Sequence, residues 1–225
     1  STLTRQIPYN SYSLNFDAAS SDYIQLASSS TAIVDWTQPY SISLWVKYST
    51  ALSWDLIATF GIETGSASTT RYIMIGGNSG YLFTGVGDTD GALTNIHFNI
   101  GSGLDQDEWH HLVYVGDGSS GDYPSVYIDG VLEPYSGGTT AVYNSSTYLN
   151  VIGTGSTATG RYFPGKINNV SIFNKALTFT EIMKLYNSGV PGDLSNFNPN
   201  PASWWSLGSD SYFNGSNWIC PDLIG

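Results

Sequence analysis

The fold is decided by Asp107-Glu-Trp-His-His-Leu-Val-Tyr-Val115, followed after a glycine-rich stretch by Val126-Tyr-Ile-Asp-Gly-Val131. With the two-residue period of a β-strand, the first segment divides into two faces, namely Trp109, His111, Val113 and Val115 against His110, Leu112 and Tyr114. In the second segment, Asp129 and Gly130 predict a tight hairpin turn, because glycine adopts positive φ freely and aspartate tolerates it. We therefore expect neighbouring antiparallel strands here.

The rest of the chain repeats this pattern. Short alternating apolar runs are separated by clusters of Gly, Ser, Asn and Thr, such as Gly76–Gly80, Gly116–Gly121 and Gly153–Thr157. Short strands with such punctuation indicate an antiparallel sandwich. The 225 residues fit one large all-β domain, which buries an ample core without disulfides.

Composition excludes several classes of function. The formal net charge is −11 with only seven Lys and Arg, and such a surface repels phosphate backbones, so we expect no nucleic-acid partner. No apolar run is long enough for a membrane span. The single cysteine, Cys220, excludes an internal disulfide. Abundant Ser, Thr, Asn and Tyr leave two alternatives open, an ordinary hydroxyl-rich β protein or an exposed adhesion or assembly surface.

The central pair of segments resembles the laminin G-like, concanavalin A-like jelly-roll family. Further segments are similar to the other strands of that family and occur in the same order, namely Tyr12–Asp17, Asp22–Leu26, Ile42–Lys47, Leu149–Gly153 and Pro164–Leu177. The resemblance implies a two-sheet antiparallel jelly roll with one short C-terminal helix. It also implies recognition more often than catalysis, although one fold hosts many functions.

The C-terminal helix is predicted from local signals. Thr178-Phe-Thr-Glu181 forms a capping box, in which the threonine hydroxyl and the glutamate carboxylate satisfy otherwise unpaired amides. The apolar residues Phe179, Ile182, Met183 and Tyr186 form one stripe at helical spacing, which predicts docking on the sandwich. Gly189 is predicted to end the helix as a left-handed cap.

A change in composition after Val190 divides the chain into a jelly-roll domain, residues 1–190, and a Pro/Trp-rich extension or connector, residues 191–225. The extension carries Trp204, Trp205 and Trp218, which would form an adhesive apolar patch if left in water. We expect these tryptophans to contact a partner chain. The alternative is that the extension folds back on its own sandwich. Similar Trp-Trp segments follow domains of this family in virion proteins of marine phages.

Catalysis is not expected. Glycosidases need two carboxylates about 5–9 Å apart, and the enzymes of this family supply them as Glu-x-Asp-x-Glu, a pattern that this sequence lacks. His110 and His111 cannot chelate one ion together, because adjacent residues on a strand point to opposite faces. We expect one of them in a core or interface and the other at the surface. A hydrolase that uses aspartates stays open as a minority alternative.

Calcium is the more plausible ion, since relatives in the family often carry one and hard cations bind several loop oxygens. Asp17 and Asp22 are the candidate carboxylates, and the closing strand would bring Asn168 beside them. Asn168 and Asn169 stand where acidic residues are common in the family, which removes formal charge from such a site. The alternative is a purely hydrogen-bonded structural corner.

Exposed aromatic residues are the other candidate binding groups. Trp36, Trp54, Tyr72 and Tyr81 are predicted in or beside loops, where a sugar ring can stack on an aromatic face. The alternative for each is core filling or subunit contact. In contrast, Trp45 and Trp109 stand among apolar neighbours in the best-matching segments, and we expect both to be core anchors.

Together these features predict a non-catalytic, surface-exposed recognition or assembly module. The preferred context is a phage virion component, such as a capsid decoration, fibre or tail protein, at the virion surface or outside the cell. It would recognise glycans or bind other virion or surface proteins, as an oligomer or as part of a larger assembly. The alternatives are a polysaccharide-active hydrolase and a secreted bacterial adhesin module.

Overall fold

The computed structural model describes residues 12–26, 33–35, 38–62, 71–78, 81–87, 92–99, 107–118, 124–134, 138–142, 150–155, 161–208, 210–216 and 218–224. Over these ranges the chain forms two large antiparallel sheets, one small hairpin and one α-helix. This arrangement confirms the predicted all-β, two-sheet sandwich with a short C-terminal helix. None of the described helical segments is long and apolar enough to cross a membrane.

The first sheet, sheet A, contains the strands predicted from the Trp-His-His segment. Its strands are, in spatial order, β1 (Leu14–Phe16), β13 (Gly165–Phe173), β3 (Tyr40–Tyr48), β8 (His110–Gly116), β9 (Ser125–Ile128) and β10 (Val131–Glu133), with β14 (Ser203–Trp205) also paired to β13. The hairpin between β9 and β10 turns at Asp129 and Gly130, which have φ values of 51° and 80°. The predicted turn is therefore confirmed.

The second sheet, sheet B, packs against the first. Its spatial order is β11 (Gly138–Val142), β7 (Ala92–Asn99), β6 (Tyr81–Gly87), β5 (Arg71–Asn78), β4 (Ser53–Ile62), β12 (Val151–Ile152) and β2 (Ile24–Gln25). Outside both sheets lie a 3-10 helix (Ala18–Ser20), helix α1 (Phe179–Tyr186) and a hairpin of β15 (Tyr212–Phe213) and β16 (Trp218–Ile219).

The main core lies between the sheets and follows the predicted alternation. Leu112 and Tyr114 of β8 are fully buried in it, together with Ile42 of β3 and Phe60 and Ile73 of sheet B. The other face of sheet A is also buried. A second apolar cluster there joins strand residues to the helix and to the extension, namely Val113, Phe173, Leu177, Ile182, Leu185, Leu194 and Trp204. Sheet A is thus covered on both faces, which explains its nearly continuous apolar strands.

Helix α1 begins at the predicted residue, but the face that it buries differs from the predicted apolar stripe. The capping box is present, because Thr178 accepts a hydrogen bond from the Glu181 amide and Glu181 accepts one from the Thr178 amide. The face buried on sheet A carries Ile182 and Leu185, whereas two stripe residues, Phe179 and Met183, are exposed at 59% and 40%. The stripe prediction was wrong in this respect, since tertiary contact selected a neighbouring face.

The end of the helix also differs from the prediction. The residue with left-handed backbone geometry that caps the helix is Asn187, with φ 45°, and its amide donates to the carbonyl of Met183. Gly189 follows with φ 87° in the turn beyond the cap. Asparagine is the usual alternative to glycine at such a position, because its short polar side chain tolerates positive φ.

The extension folds back on its own sandwich, which corrects the expectation that Trp204 and Trp205 contact a partner. Strand β14 pairs with β13, and the two tryptophans are only 1% and 5% exposed. The Trp204 indole N–H donates to Asn169, and its backbone amide donates to Asp222 at 2.9 Å. The physical reason is that sheet A has an apolar outer face, and these residues keep water from it.

Candidate functional site

Trp54 occupies an irregular position in sheet B. The register between β4 and β5 shifts between Ser53 and Asp55, so Trp54 lies at a bulge. Its φ of 61° is rare for a bulky residue and costs energy. Its side chain is 37% exposed. A strained bulge that leaves a large aromatic side chain in solvent is typical of a binding position, because bulges re-aim side chains at functional sites.

The Trp54 ring lies close to another aromatic ring and to a cation. The Phe83 ring contacts it at a tilt of 50°, with ring centroids 5.5 Å apart, and the Arg161 guanidinium carbon is 5.8 Å from the Trp54 ring centroid. Gly76 permits this packing, since an added Cβ would lie 2.6 Å from the tip of the Phe83 ring. The ring is therefore held in place while part of it stays open.

Arg161 and Asp55, the residue after Trp54, are half-buried and carry opposite charges that interact. Burial raises the pKa of Asp55, although the Ser53 amide, which donates to it at 2.7 Å, and the charge of Arg161 act in the opposite direction. Burial lowers the pKa of Arg161, and Asp55 opposes that shift. We call Trp54, Asp55, Phe83 and Arg161 the Trp54 surface. It offers a stacking face, hydrogen-bond acceptors and hydrogen-bond donors to a polyhydroxylated ligand.

Of the other three predicted ligand-binding aromatic residues, two have a described backbone position. Tyr81 pairs with Asn78, which pairs with Ser53, so its backbone lies at the same end of sheet B as Trp54. Tyr72 stands six residues from Asn78 along β5, roughly 20 Å away at the rise of a strand. Trp36 lies outside the described residues. The structure thus brings Trp54 and Tyr81 to one end and separates Tyr72 from them.

The structure brings two of the three predicted calcium ligands together and separates the third. Asp17 caps the 3-10 helix by accepting from Ala19, and Asp22 accepts from the Asp17 amide, both at 2.9 Å. Asn168 instead donates to the carbonyl of Tyr12, at the opposite end of β1, roughly 13 Å along the strands from Asp17. Among the described residues, no group of three His, Cys, Asp or Glu side chains is placed to hold a metal. Asp17 and Asp22 are thus joined by hydrogen bonds near the 3-10 helix, and Asn168 lies apart from them.

The two histidines face different environments, as predicted. His111 is buried, stacks on Trp45 at 4.8 Å and shares a 2.8 Å hydrogen bond with Ser43. His110 is partly exposed and donates to Asp129 at 2.7 Å. Burial alone would raise the pKa of Asp129, but the hydrogen bonds from His110 and from the His111 amide lower it. Asp129 thus ties the hairpin turn to β8.

The pair formed by Ser43 and His111 has no access to substrate. The two residues are 2% and 1% exposed and lie beneath helix α1. The Nδ1 atom of His111 has no hydrogen-bond partner among the described residues, so a third member of a triad is missing there. Burial lowers the pKa of His111 to about 3, which keeps the ring neutral. These features indicate a structural role.

Trp45 is confirmed as a core anchor at 1% exposure, whereas Trp109 is not one. Trp109 is half-buried just before β8 and lines a cleft of about 250 Å³. The residues around this cleft lie just before β1, just before β8, in β13 and after helix α1, and are Tyr12, Ser13, Trp109, Lys166, Asn168, Gly189 and Pro191. We call it the Trp109 cleft. Sequence reasoning missed it because its walls are distant in sequence.

Trp218 is the one residue of the predicted partner-binding trio that the structure leaves at the surface. It is 61% exposed, on the hairpin of β15 and β16, and its ring lies 6.0 Å from that of Phe213, which is 56% exposed. Trp204 and Trp205 are buried in the clusters described above. The extension therefore contributes two tryptophans to the core. It also exposes a separate aromatic pair, Phe213 and Trp218, to solvent.

Fold and surface together define a β-sandwich of the concanavalin A-like type, with an open aromatic position on sheet B. Comparison with protein families agrees with this class. The chain belongs to the Laminin_G_3 family of the concanavalin A-like lectin/glucanase superfamily, whose model matches residues 18–183. No curated protein matches the sequence at a significant level.

Solved structures share the fold at low sequence identity. A candidate carbohydrate-binding protein from Bacteroides ovatus is 17% identical with a TM-score of 0.64, over 99% of this chain and 58% of that one. A heptameric pentraxin from Limulus polyphemus is 12% identical with a TM-score of 0.44, over 97% and 88% of the two chains. The receptor-binding domain of botulinum neurotoxin type G is 13% identical with a TM-score of 0.47, over 84% and 53%. The chain spans little more than half of the Bacteroides ovatus protein.

Proposed function

We propose that this protein is a non-catalytic recognition module that binds glycans through the Trp54 surface. The observation that carries the proposal is the exposed Trp54 ring, which lies at a strained bulge and is close to Phe83 and Arg161. Such a surface suits a sugar, whose C–H face stacks on an aromatic ring while its hydroxyls pair with polar groups. The family and the carbohydrate-binding candidate from Bacteroides ovatus also support glycan binding.

Several described carboxylates already have structural partners, which supports a non-catalytic role. Asp129 binds His110 and the His111 amide. Glu181 caps helix α1 and pairs with Lys175 at 2.6 Å. Asp55 has an arginine beside it and no second acid in the Trp54 surface. A glycosidase needs a second carboxylate within about 5–9 Å of the first, and the sequence lacks the Glu-x-Asp-x-Glu pattern of the enzymes in this family.

The test compares two exposed tryptophans. Binding of the intact chain to an array of neutral and acidic glycans identifies a ligand, and titration then compares wild type with Trp54→Ala and Trp218→Ala. We expect Trp54→Ala to weaken binding at least about tenfold, while Trp218→Ala retains it and both variants keep their melting temperature. The Trp218→Ala variant is the matched control, because it removes another exposed indole far from Trp54.

Two results would contradict the proposal. One is the absence of any glycan ligand on the array, and the other is a loss of binding in Trp218→Ala but not in Trp54→Ala. The non-catalytic part is checked separately by assaying reducing-end release from β-glucans, agars and alginates. Turnover above background that disappears in Asp55→Asn would make the protein an enzyme.

We propose the surface of a phage virion as the setting, with the hairpin of β15 and β16 as the contact to a neighbouring protein. The support is the exposed Phe213–Trp218 pair and a surface rich in neutral hydroxyl groups. Tryptophan often dominates interface energetics. Mass spectrometry of purified particles that contain the protein, with cross-links mapped to this hairpin, checks the setting. Detection only in a bacterial cell-surface fraction would favour the adhesin alternative.

A further inference from the structure

The Trp109 cleft lies on the opposite side of the molecule from the Trp54 surface. Lys166 and Asn168 of β13 line it, and they share the outer face of sheet A with Trp45, which pairs with Asn168. Trp54 lies on sheet B. A ligand in the cleft would therefore bind independently of the Trp54 surface, with the sandwich between the two.

The cleft combines aromatic rings with hydrogen-bonding groups. Trp109 is half-buried and Tyr12 is 70% exposed, and both line the cavity together with the Ser13 hydroxyl. The volume of about 250 Å³ is below the range of about 300–1,000 Å³ typical of sites for larger ligands. It fits a single ring and not an oligomer enclosed along its length.

One lysine lines the cleft, and a second lies beside it on the neighbouring strand. Lys166 is directly opposite Lys47 on the neighbouring strand, and like charges in such a pair repel. Lys47 donates to the carbonyl of Asp107, which holds the turn before Trp109. Lys166 is exposed and has no hydrogen-bond or ion-pair partner in the part of the chain that the structure describes.

This pairing is unusual for the chain as a whole. Only seven Lys and Arg accompany a net charge of −11, so two lysines opposite each other on neighbouring strands are uncommon in this chain. A bound anion would relieve their repulsion. The acidic Asp107 and Glu108, both exposed on the turn before Trp109, would repel a polyanion. The arrangement favours a small ligand with one negative group.

We propose that the Trp109 cleft is a second binding site, for a single sugar ring that carries a carboxylate. Lys166 pairs with the carboxylate, Trp109 and Tyr12 contact the apolar face of the ring, and Ser13 bonds a ring hydroxyl. The two aromatic rings contact any sugar ring in the cleft. Lys166 gives the preference for an acidic sugar over a neutral one.

The experiment titrates the intact protein with glucuronate and, separately, with glucose, and follows tryptophan fluorescence and amide chemical shifts. We expect glucuronate to bind about tenfold more tightly than glucose, because glucose lacks the charged partner of Lys166. Lys166→Met keeps the apolar stem and should remove this preference. Lys184→Met, which removes an exposed lysine on helix α1, is the matched control and should leave it intact.

The outcomes separate this site from the Trp54 surface. Trp54→Ala should bind glucuronate as wild type does, whereas Trp109→Leu should bind both glucuronate and glucose more weakly. Equal binding of the two sugars, an equal loss in Lys184→Met, or no glucuronate binding up to about 50 mM would overturn the proposal. Glucuronate binding that depends on Trp54 and not on Lys166 would overturn it as well. Failure of the glycan array with an intact glucuronate preference would reject only the function proposed for the Trp54 surface.

Discussion

Tryptophan side chains are buried on the outer face of sheet A, whereas sheet B leaves one exposed. On sheet A, Trp45 and Trp204 are each 1% exposed, because helix α1 and the extension pack on its outer face. On sheet B, Trp54 is 37% exposed at a bulge with φ 61°. The same residue type therefore stabilises one face and is left open to solvent on the other.

The difference shows that remote segments decide the role of an aromatic residue. The cover of sheet A comes from residues far along the chain, such as Ile182, Leu194 and Leu223. Without this cover, Trp45 and Val113 would face water on an apolar sheet surface. On sheet B, a local backbone irregularity sets the position of Trp54, and the packing of Phe83 against Gly76 supports it.

The strongest test of this comparison removes the cover from sheet A. A chain that ends at Val190 loses β14 and the buried Trp204, and loss of a single buried tryptophan side chain costs about 3–5 kcal/mol. We expect this shortened chain to be unfolded or aggregated, measured by circular dichroism and size-exclusion chromatography. A folded monomer with a near-native melting temperature would show that the extension is not part of the core.

The general fold was predictable because its signals are local. Alternation in residues 107–115 and the Asp129–Gly130 turn depend on neighbours along one strand or hairpin, and both are confirmed. The capping box at Thr178 is likewise a local pattern. The rotation of helix α1 was not predictable, since Phe179 and Leu185 are both apolar and only the docked sheet distinguishes them.

The candidate sites were harder to predict for the same reason. Trp54 was predicted in or beside a loop as a candidate binding residue; it lies at the start of β4 at 37% exposure, and its bulge depends on register with β5. The Trp109 cleft combines residues near positions 12, 109, 166 and 190, and no sequence window contains them together. Trp204 and Trp218 have similar local composition, yet one is buried and the other is 61% exposed.

Acid should weaken the covered face of sheet A in a defined pH window. Burial lowers the pKa of His111 to about 3, from an ordinary value of 6.5. Between these values the unfolded chain takes up a proton that the folded chain excludes, so stability is lost as pH falls below about 6.5. We expect a loss of about 1–2 kcal/mol between pH 6.5 and 5, measured by urea unfolding at each pH.

Two variants identify the group responsible for that acid loss. His111→Gln should flatten the pH dependence above pH 5, whatever its overall stability. Ser43→Ala removes the hydrogen-bond partner but keeps the imidazole, so it should be less stable at every pH with the dependence retained. Asp129 does not account for the loss of stability above pH 5, because its pKa lies below the ordinary value of 3.8. Its contribution to stability is lost only in stronger acid. An unchanged slope in His111→Gln would assign the acid loss to another group.

The smallest predicted effect concerns the strain at the open face of sheet B. Trp54→Ala and Trp54→Gly both remove the indole, and only glycine adopts a φ of 61° without cost. We expect Trp54→Gly to be more stable than Trp54→Ala by about 1 kcal/mol, because a non-glycine residue in left-handed geometry costs about 1–2 kcal/mol. Chemical unfolding of both variants measures the difference.

The same pair of variants separates strain from binding. If the bulge exists to present the indole, both variants should lose the glycan ligand to the same extent while differing in stability. A Trp54→Gly variant that is no more stable than Trp54→Ala would mean that the backbone relaxes once the ring is gone. The ring packing on Phe83 would then be the cause of the positive φ, and the bulge would be a consequence of Trp54 and not a support for it.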